Sequence, residues 1–140
     1  MLSETSAAHA TPRAPYYRWL FITAAIWNLL SASAVLFLLT DPSFRREMGF
    51  PGAADRISLQ LLAACLFVFG LGYYWVSLDL SRNRDLVKLG VIGKPLVFLV
   101  FAGNALAREI PVLLVAPSVV DLLFGALFLE FLLRTRGKTQ

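Results

Sequence analysis

Cysteine and histidine are almost missing from this chain of 140 residues: there is one of each, Cys65 and His9. A lone cysteine closes no internal disulfide, and no Cys/His cluster is available to hold a metal. Cys65 lies inside an apolar run, where it reads as a small packing residue. A lone histidine, placed in the polar N-terminal segment, excludes an intramembrane bis-His haem site within one chain. The sequence has no HExxH and no combination that would assemble a Ser-His-Asp set. No cofactor and no metal are therefore expected. Charge is also scarce, at 16% of residues, against about a quarter in soluble domains. Too little polar sequence remains for a soluble second domain.

What is abundant is apolar sequence, 58% of the chain, gathered into four long runs. A hydrocarbon core of about 30 Å needs roughly 20 helical residues. The runs at about 17–39, 57–78, 86–107 and 110–133 each meet that length. Segments this apolar must satisfy their backbone internally, so they are helices rather than strands. The predicted class is all-α, a transmembrane four-helix bundle over 16–134. A disordered tail is expected over 1–15 and a basic tail over 135–140. Pro and Gly fill the first connection (TDPSF, 40–44; GFPGAAD, 49–55), and DLSRNRD (79–85) makes the second. The third, around Arg108-Glu109, is short enough for a tight antiparallel hairpin. No internal repeat is evident.

The net charge of +4 lies at the ends of apolar runs, leaving no basic face for nucleic acid. Nine basic residues fall on one side: Arg13, Arg18, Arg82, Arg84, Lys88, Lys94, Arg134, Arg136 and Lys138. Four fall on the other: Arg45, Arg46, Arg56 and Arg108. This split predicts that both termini and the second loop are cytoplasmic. A competing reading makes the first run a signal peptide, with Ala32-Ser33-Ala34 as its cleavage site. Against it, the run continues through Val35–Leu39 as a span would. Tyr16, Tyr17, Trp19, Tyr73, Tyr74 and Trp75 are expected to form an interfacial aromatic belt.

Polar residues inside the spans are costly, so their positions point to a site. On the third helix Gly90, Lys94, Val97, Phe101, Asn104 and Arg108 share a stripe about 80° wide, expected to face the bundle. The fourth helix carries Asp121 near mid-span. Pro117 precedes it and is expected to kink the helix and free the carbonyl of Leu113. The first helix carries Asn28 among Ala24, Ala25, Ser31 and Ala32, where small residues allow close approach. Helical rise places Lys94, Asn28 and Asp121 within a slab about 6 Å thick. A buried polar seam of Asn28, Lys94, Asn104 and Asp121 follows, with Lys94 paired to Asp121. The alternative is that Lys94 snorkels to the headgroups. Glu130 points the other way, close enough to the end to meet the basic tail. Arg82, Arg84 and Lys88 form a loop expected to contact lipid headgroups.

Three functions are open on these residues. One is a non-enzymatic accessory, assembly or lipid-contacting module, with membrane lipids and either a membrane-protein partner or further copies of itself. The second is a binder or transporter of a small amphipathic or anionic ligand, using Lys94 and Asp121; a bundle this narrow would need to oligomerise for transport. The third is an enzyme in which the Lys-Asp pair does acid–base work on an isoprenoid or quinone, which no motif demands.

The segments GYYWVSLDLSRNRDLVKLGVIGK (72–94) and DLLFGALFLEFL (121–132) resemble small four-span bacterial membrane proteins whose general build is similar to DoxX-like proteins. The resemblance spans roughly 17–133. It implies a compact four-helix bundle in the bacterial inner membrane and no particular reaction. Some DoxX-like relatives are linked to thiol or quinone redox chemistry, but this chain lacks the cysteine pairs that such chemistry would use.

Overall fold

The computed structural model describes residues 13–135, and these are helical with no strand among them. Four helices are long and apolar enough to span a membrane. They are α1 (Ala14–Leu38), α3 (Ala53–Leu78), α4 (Arg84–Leu106), and α5 (Ala116–Arg134), the last preceded by a 3-10 turn, Val112–Val115. A short helix, α2 (Pro42–Glu47), lies between the first two spans. Most of the tail expected over 1–15 and of that expected over 135–140 lies outside the described residues. Within them, Ala14 and Pro15 already belong to α1. Proline suits a first helical turn, where its missing N–H would have no intrahelical partner.

The helix ends explain the connections. Asp41 caps α2, its Oδ1 accepting from the Ser43 and Phe44 N–H groups at 2.8 and 3.3 Å. Gly49, at φ +89°, ends it: the Gly49 N–H donates to the Arg46 carbonyl at 3.1 Å and the Phe50 N–H to the Arg45 carbonyl at 2.9 Å. This paired closure around a left-handed glycine is a Schellman motif. Asp55 reaches back to the Gly52 N–H at 2.6 Å and starts α3. Proline placement corrects one expectation. Pro117 lies in the first turn of α5, after the 3-10 turn, rather than mid-helix. It starts a helix where a kink was predicted.

The spans pack as two hairpins, α1 with α3 and α4 with α5. Small residues set the approach within each. A Cβ added to Gly70 would lie 3.1 Å from Leu29 and 3.3 Å from the Ala25 carbonyl, and one on Gly125 would lie 3.4 Å from the Lys94 Cβ. The hairpins meet mainly near the end where α1 begins and α5 finishes, termed proximal below. There Phe128 and Phe131 of α5 enter between α1 and α3. Phe128 lies 4.9 Å from Phe21 and 4.8 Å from Tyr73, and Phe131 5.0 Å from Tyr17, centroid to centroid. Such pairs each contribute about 0.5–1.5 kcal/mol. In a bilayer this packing, rather than burial from water, holds helices together.

Three expectations are corrected here. Tyr17 and Tyr73 are 1% and 2% exposed: they are core residues, while Tyr16, Trp19, Tyr74 and Trp75 remain outside. The stripe on α4 is buried only at its proximal end, since Val87, Gly90 and Lys94 are the buried residues of that helix. Beyond Lys94, α4 has no facing helix from the other hairpin close enough to cover it. Cys65 is exposed on α3, not packed inside.

Candidate functional site

Lys94, Asp121 and Asn28 come together from three helices at the distal limit of the shared core. Lys94 follows Gly90 by one turn on the buried face of α4. Asp121 follows Ser118 on α5, and Asn28 follows Ala24 and Ala25 on α1. All three are at most 8% exposed. Lys94 Nζ makes an ion pair with Asp121 Oδ1 and donates to Asn28 Oδ1 at 3.5 Å. The rings of Tyr73, Phe124 and Phe128 surround the ammonium at 5.3, 5.5 and 5.9 Å from their centroids. Aromatic faces attract a cation, more so when it is desolvated. Lys94 therefore does not snorkel; its charge ends inside the bundle.

This arrangement ties the hairpins together. Asn28 belongs to α1, whereas Lys94 and Asp121 belong to α4 and α5. The Lys94 ammonium is occupied by a carboxylate, an amide and three rings. Chemically the cluster is a closed, mutually compensated site. Pro95, next to Lys94, would lie 3.6 Å from a Cβ on Gly125, so α5 passes α4 at ordinary contact distance where it presents Asp121.

Asn104 does not join the seam. It is exposed, and its Nδ2 donates to the Val100 carbonyl of its own helix at 2.8 Å. The cause is the loss of facing helices beyond Lys94: Asn104 continues the angular stripe of Lys94 on α4, but α4 has no buried residue past Lys94.

The basic loop divides into different roles. Arg84 turns inward. Its Nη2 donates to the Leu132 carbonyl at 3.3 Å, its Nη1 to the Thr135 carbonyl at 3.4 Å and to Thr135 Oγ1, and its guanidinium lies 5.5 Å from the Phe131 ring centroid. It supplies donors to the last carbonyls of α5, which have no intrahelical partner. Arg84 is thus a helix cap rather than a headgroup contact. Lys88 pairs with Asp85 at 2.6 Å on an exposed surface, and Arg82 is exposed. Asp79 organises the turn: its Oδ1 accepts from Ser81 Oγ at 2.7 Å and from the Ser81 and Arg82 N–H groups at 2.9 and 3.0 Å. These bonds, led by that of the Ser81 hydroxyl, hold its carboxyl below the usual carboxylate range. Glu130 meets Arg134 at 2.8 Å and Arg13 at 3.8 Å.

A shallow groove of about 580 Å³ runs along α1 and α3, lined by Leu29, Ser33, Gln60 and Phe67 among others. Its lining includes Ala32, one turn beyond Asn28 on α1, but none of Asn28, Lys94 and Asp121. Among the described residues no His/Cys/Asp/Glu group could hold a metal ion.

The fold and cluster define a helical protein with four potential spans, with a buried ion pair inside the α4/α5 hairpin whose ammonium also reaches Asn28 and Tyr73 of the other hairpin. Comparison with protein-family models, with curated proteins and with solved structures finds no match.

Proposed function

We propose that this chain is a non-enzymatic accessory or assembly module of the bacterial inner membrane, DoxX-like in general build, with both termini cytoplasmic. The observation that carries this reading is that its two buried intramembrane charges, Lys94 and Asp121, are spent on one another. A ligand seeking the Lys94 ammonium would have to displace Asp121, which already compensates it within the membrane-spanning region. Asp121 in turn has no other basic group within ion-pair distance among the described residues. A charge held this way locks helices. What remains for function is the exterior, in contact with lipid and a membrane-protein partner. The nine-to-four distribution of basic residues supports the orientation, and the run 72–94 supports the family likeness.

The test compares the full chain with the Lys94→Met/Asp121→Asn double variant, each purified in mild detergent. The module reading expects both to retain the same partner at the same stoichiometry. The binder reading takes its place if a small molecule from a membrane extract raises the melting temperature of the wild type and leaves the double variant unmoved.

A further inference from the structure

At the distal end one cation is left without compensation. Arg45 is 5% exposed, and its Nε and Nη1 are buried with no hydrogen-bond partner. It takes part in no ion pair among the described residues, and neither do Arg46, Arg56 or Arg108 on the same side. Asp41, Glu47, Asp55 and Glu109 balance these four arginines in number, but none of them meets Arg45 within ion-pair distance. Asp41 and Asp55 are committed to backbone N–H groups at the starts of α2 and α3, and Glu47 and Glu109 make no ion pair.

The backbone around Arg45 is built with unusual care for six residues. Asp41 closes one end of α2, and the Schellman pair around Gly49 closes the other, one of its two bonds ending on the Arg45 carbonyl. A Cβ on Gly49 would lie 3.5 Å from the Glu109 carbonyl, so this segment also rests on the α4–α5 connection. The position of Arg45 is therefore fixed at both ends and from the side. A buried cation without a partner costs several kcal/mol. A segment capped this fully and still carrying that cost is arranged for an anion that the chain itself does not supply.

We propose that Arg45 anchors an anion site for a phosphate group at the distal membrane surface. α2 lies between two helices long and apolar enough to span a membrane, α1 and α3, which sets it toward a membrane surface. A guanidinium matches phosphate geometry through paired N–H donors. The unpartnered charge of Arg45 favours an anionic headgroup over a zwitterionic one. The phosphate comes from an anionic phospholipid or from a soluble phosphate, and the two sources are separable.

The experiment is native mass spectrometry of the full chain with equal amounts of phosphatidylglycerol and phosphatidylcholine, beside melting curves in millimolar inorganic phosphate and in chloride of equal ionic strength. The wild type is expected to retain phosphatidylglycerol about tenfold better. Arg45→Gln is expected to abolish that preference, with Arg45→Lys retaining part of it and Arg46→Gln nearly all. Stabilisation by inorganic phosphate without a lipid preference, lost in Arg45→Gln, assigns the same site to a soluble ligand. Two results overturn the site: a wild type indifferent to both probes, or equal losses in Arg45→Gln and Arg46→Gln, which mark diffuse surface charge. Should Arg45→Gln fail to fold, Arg46→Gln, Arg56→Gln and Arg108→Gln decide. Similar losses in all three overturn the proposal, and a preference that survives each of them supports Arg45.

Discussion

Replacing Lys94 by methionine keeps the length of the side chain and removes its charge. Asp121 then stays behind at 11% side-chain exposure, with no basic group within reach. Breaking one half of a buried pair costs about 3–5 kcal/mol. A ceiling applies, since neutralising an aqueous carboxylic acid at pH 7 costs about 4 kcal/mol and an orphaned acid can take up a proton instead. Lys94→Met is therefore expected to lose about 3–4 kcal/mol. Asp121→Asn should cost less, because the ammonium keeps Asn28 and three aromatic faces, together worth roughly 1–2 kcal/mol. The double variant removes both charges and should recover most of the loss. Ordinary polar contacts between membrane helices average about 0.6 kcal/mol, so a coupling above about 2 kcal/mol marks a charged clasp. Thermal or SDS unfolding of the four proteins measures it. The reasoning fails if Lys94→Met lies within about 1 kcal/mol of the wild type, or if the double variant is less stable than either single one.

Three further outcomes follow from the packing and the loop. A Cβ on Gly90 would meet Tyr73 Oη at 2.7 Å and Phe128 at 2.9 Å, whereas one on Gly125 meets nothing closer than 3.4 Å. Gly90→Ala should therefore destabilise by about 1–3 kcal/mol, and Gly125→Ala should be neutral or slightly stabilising, both read from melting curves. Arg84→Ala should cost about 1–3 kcal/mol through the lost cap of α5, seen as faster amide exchange over Leu132–Thr135, while Arg82→Ala leaves that exchange unchanged. Asp79 has a lowered folded pKa, so its contribution is complete above the ordinary carboxylate range and is lost as pH falls through the lowered value. The melting-temperature gap between wild type and Asp79→Asn should accordingly close at acid pH and be constant near neutrality.

Much of this is legible in the sequence. The four spans follow from length and hydropathy, and the Lys94–Asp121 pair from two polar residues at matching depth with no cheap alternative partner. Asn28 joined them for the same reason. The sequence could not tell which faces acquire neighbours. Asn104 continues the stripe of Lys94, but α4 leaves the other hairpin behind beyond that residue. Tyr17 and Tyr73 sit near helix ends, as belt residues do, and only the entry of Phe128 and Phe131 makes them core. Arg84 carries the same local signal as Arg82; its role depends on α5 finishing beside it, a contact 51 residues away in the chain. Arg45 reads as a boundary charge until its burial is seen.

The proximal placement of the shared core has a mechanical consequence. From Lys94 to Leu106, α4 extends roughly 18 Å past the clasp. Like tweezers held near one end, the hairpins convert small angles into larger displacements: a rotation of about 10° at the cluster carries the far tip of α4 through about 3 Å. The two leaflets therefore meet different objects, an aromatic-packed cross-section on one side and, on the other, two arms that meet where the Gly49 segment rests on the Glu109 carbonyl rather than through packed rings, and lateral pressure in the distal leaflet acts on that contact.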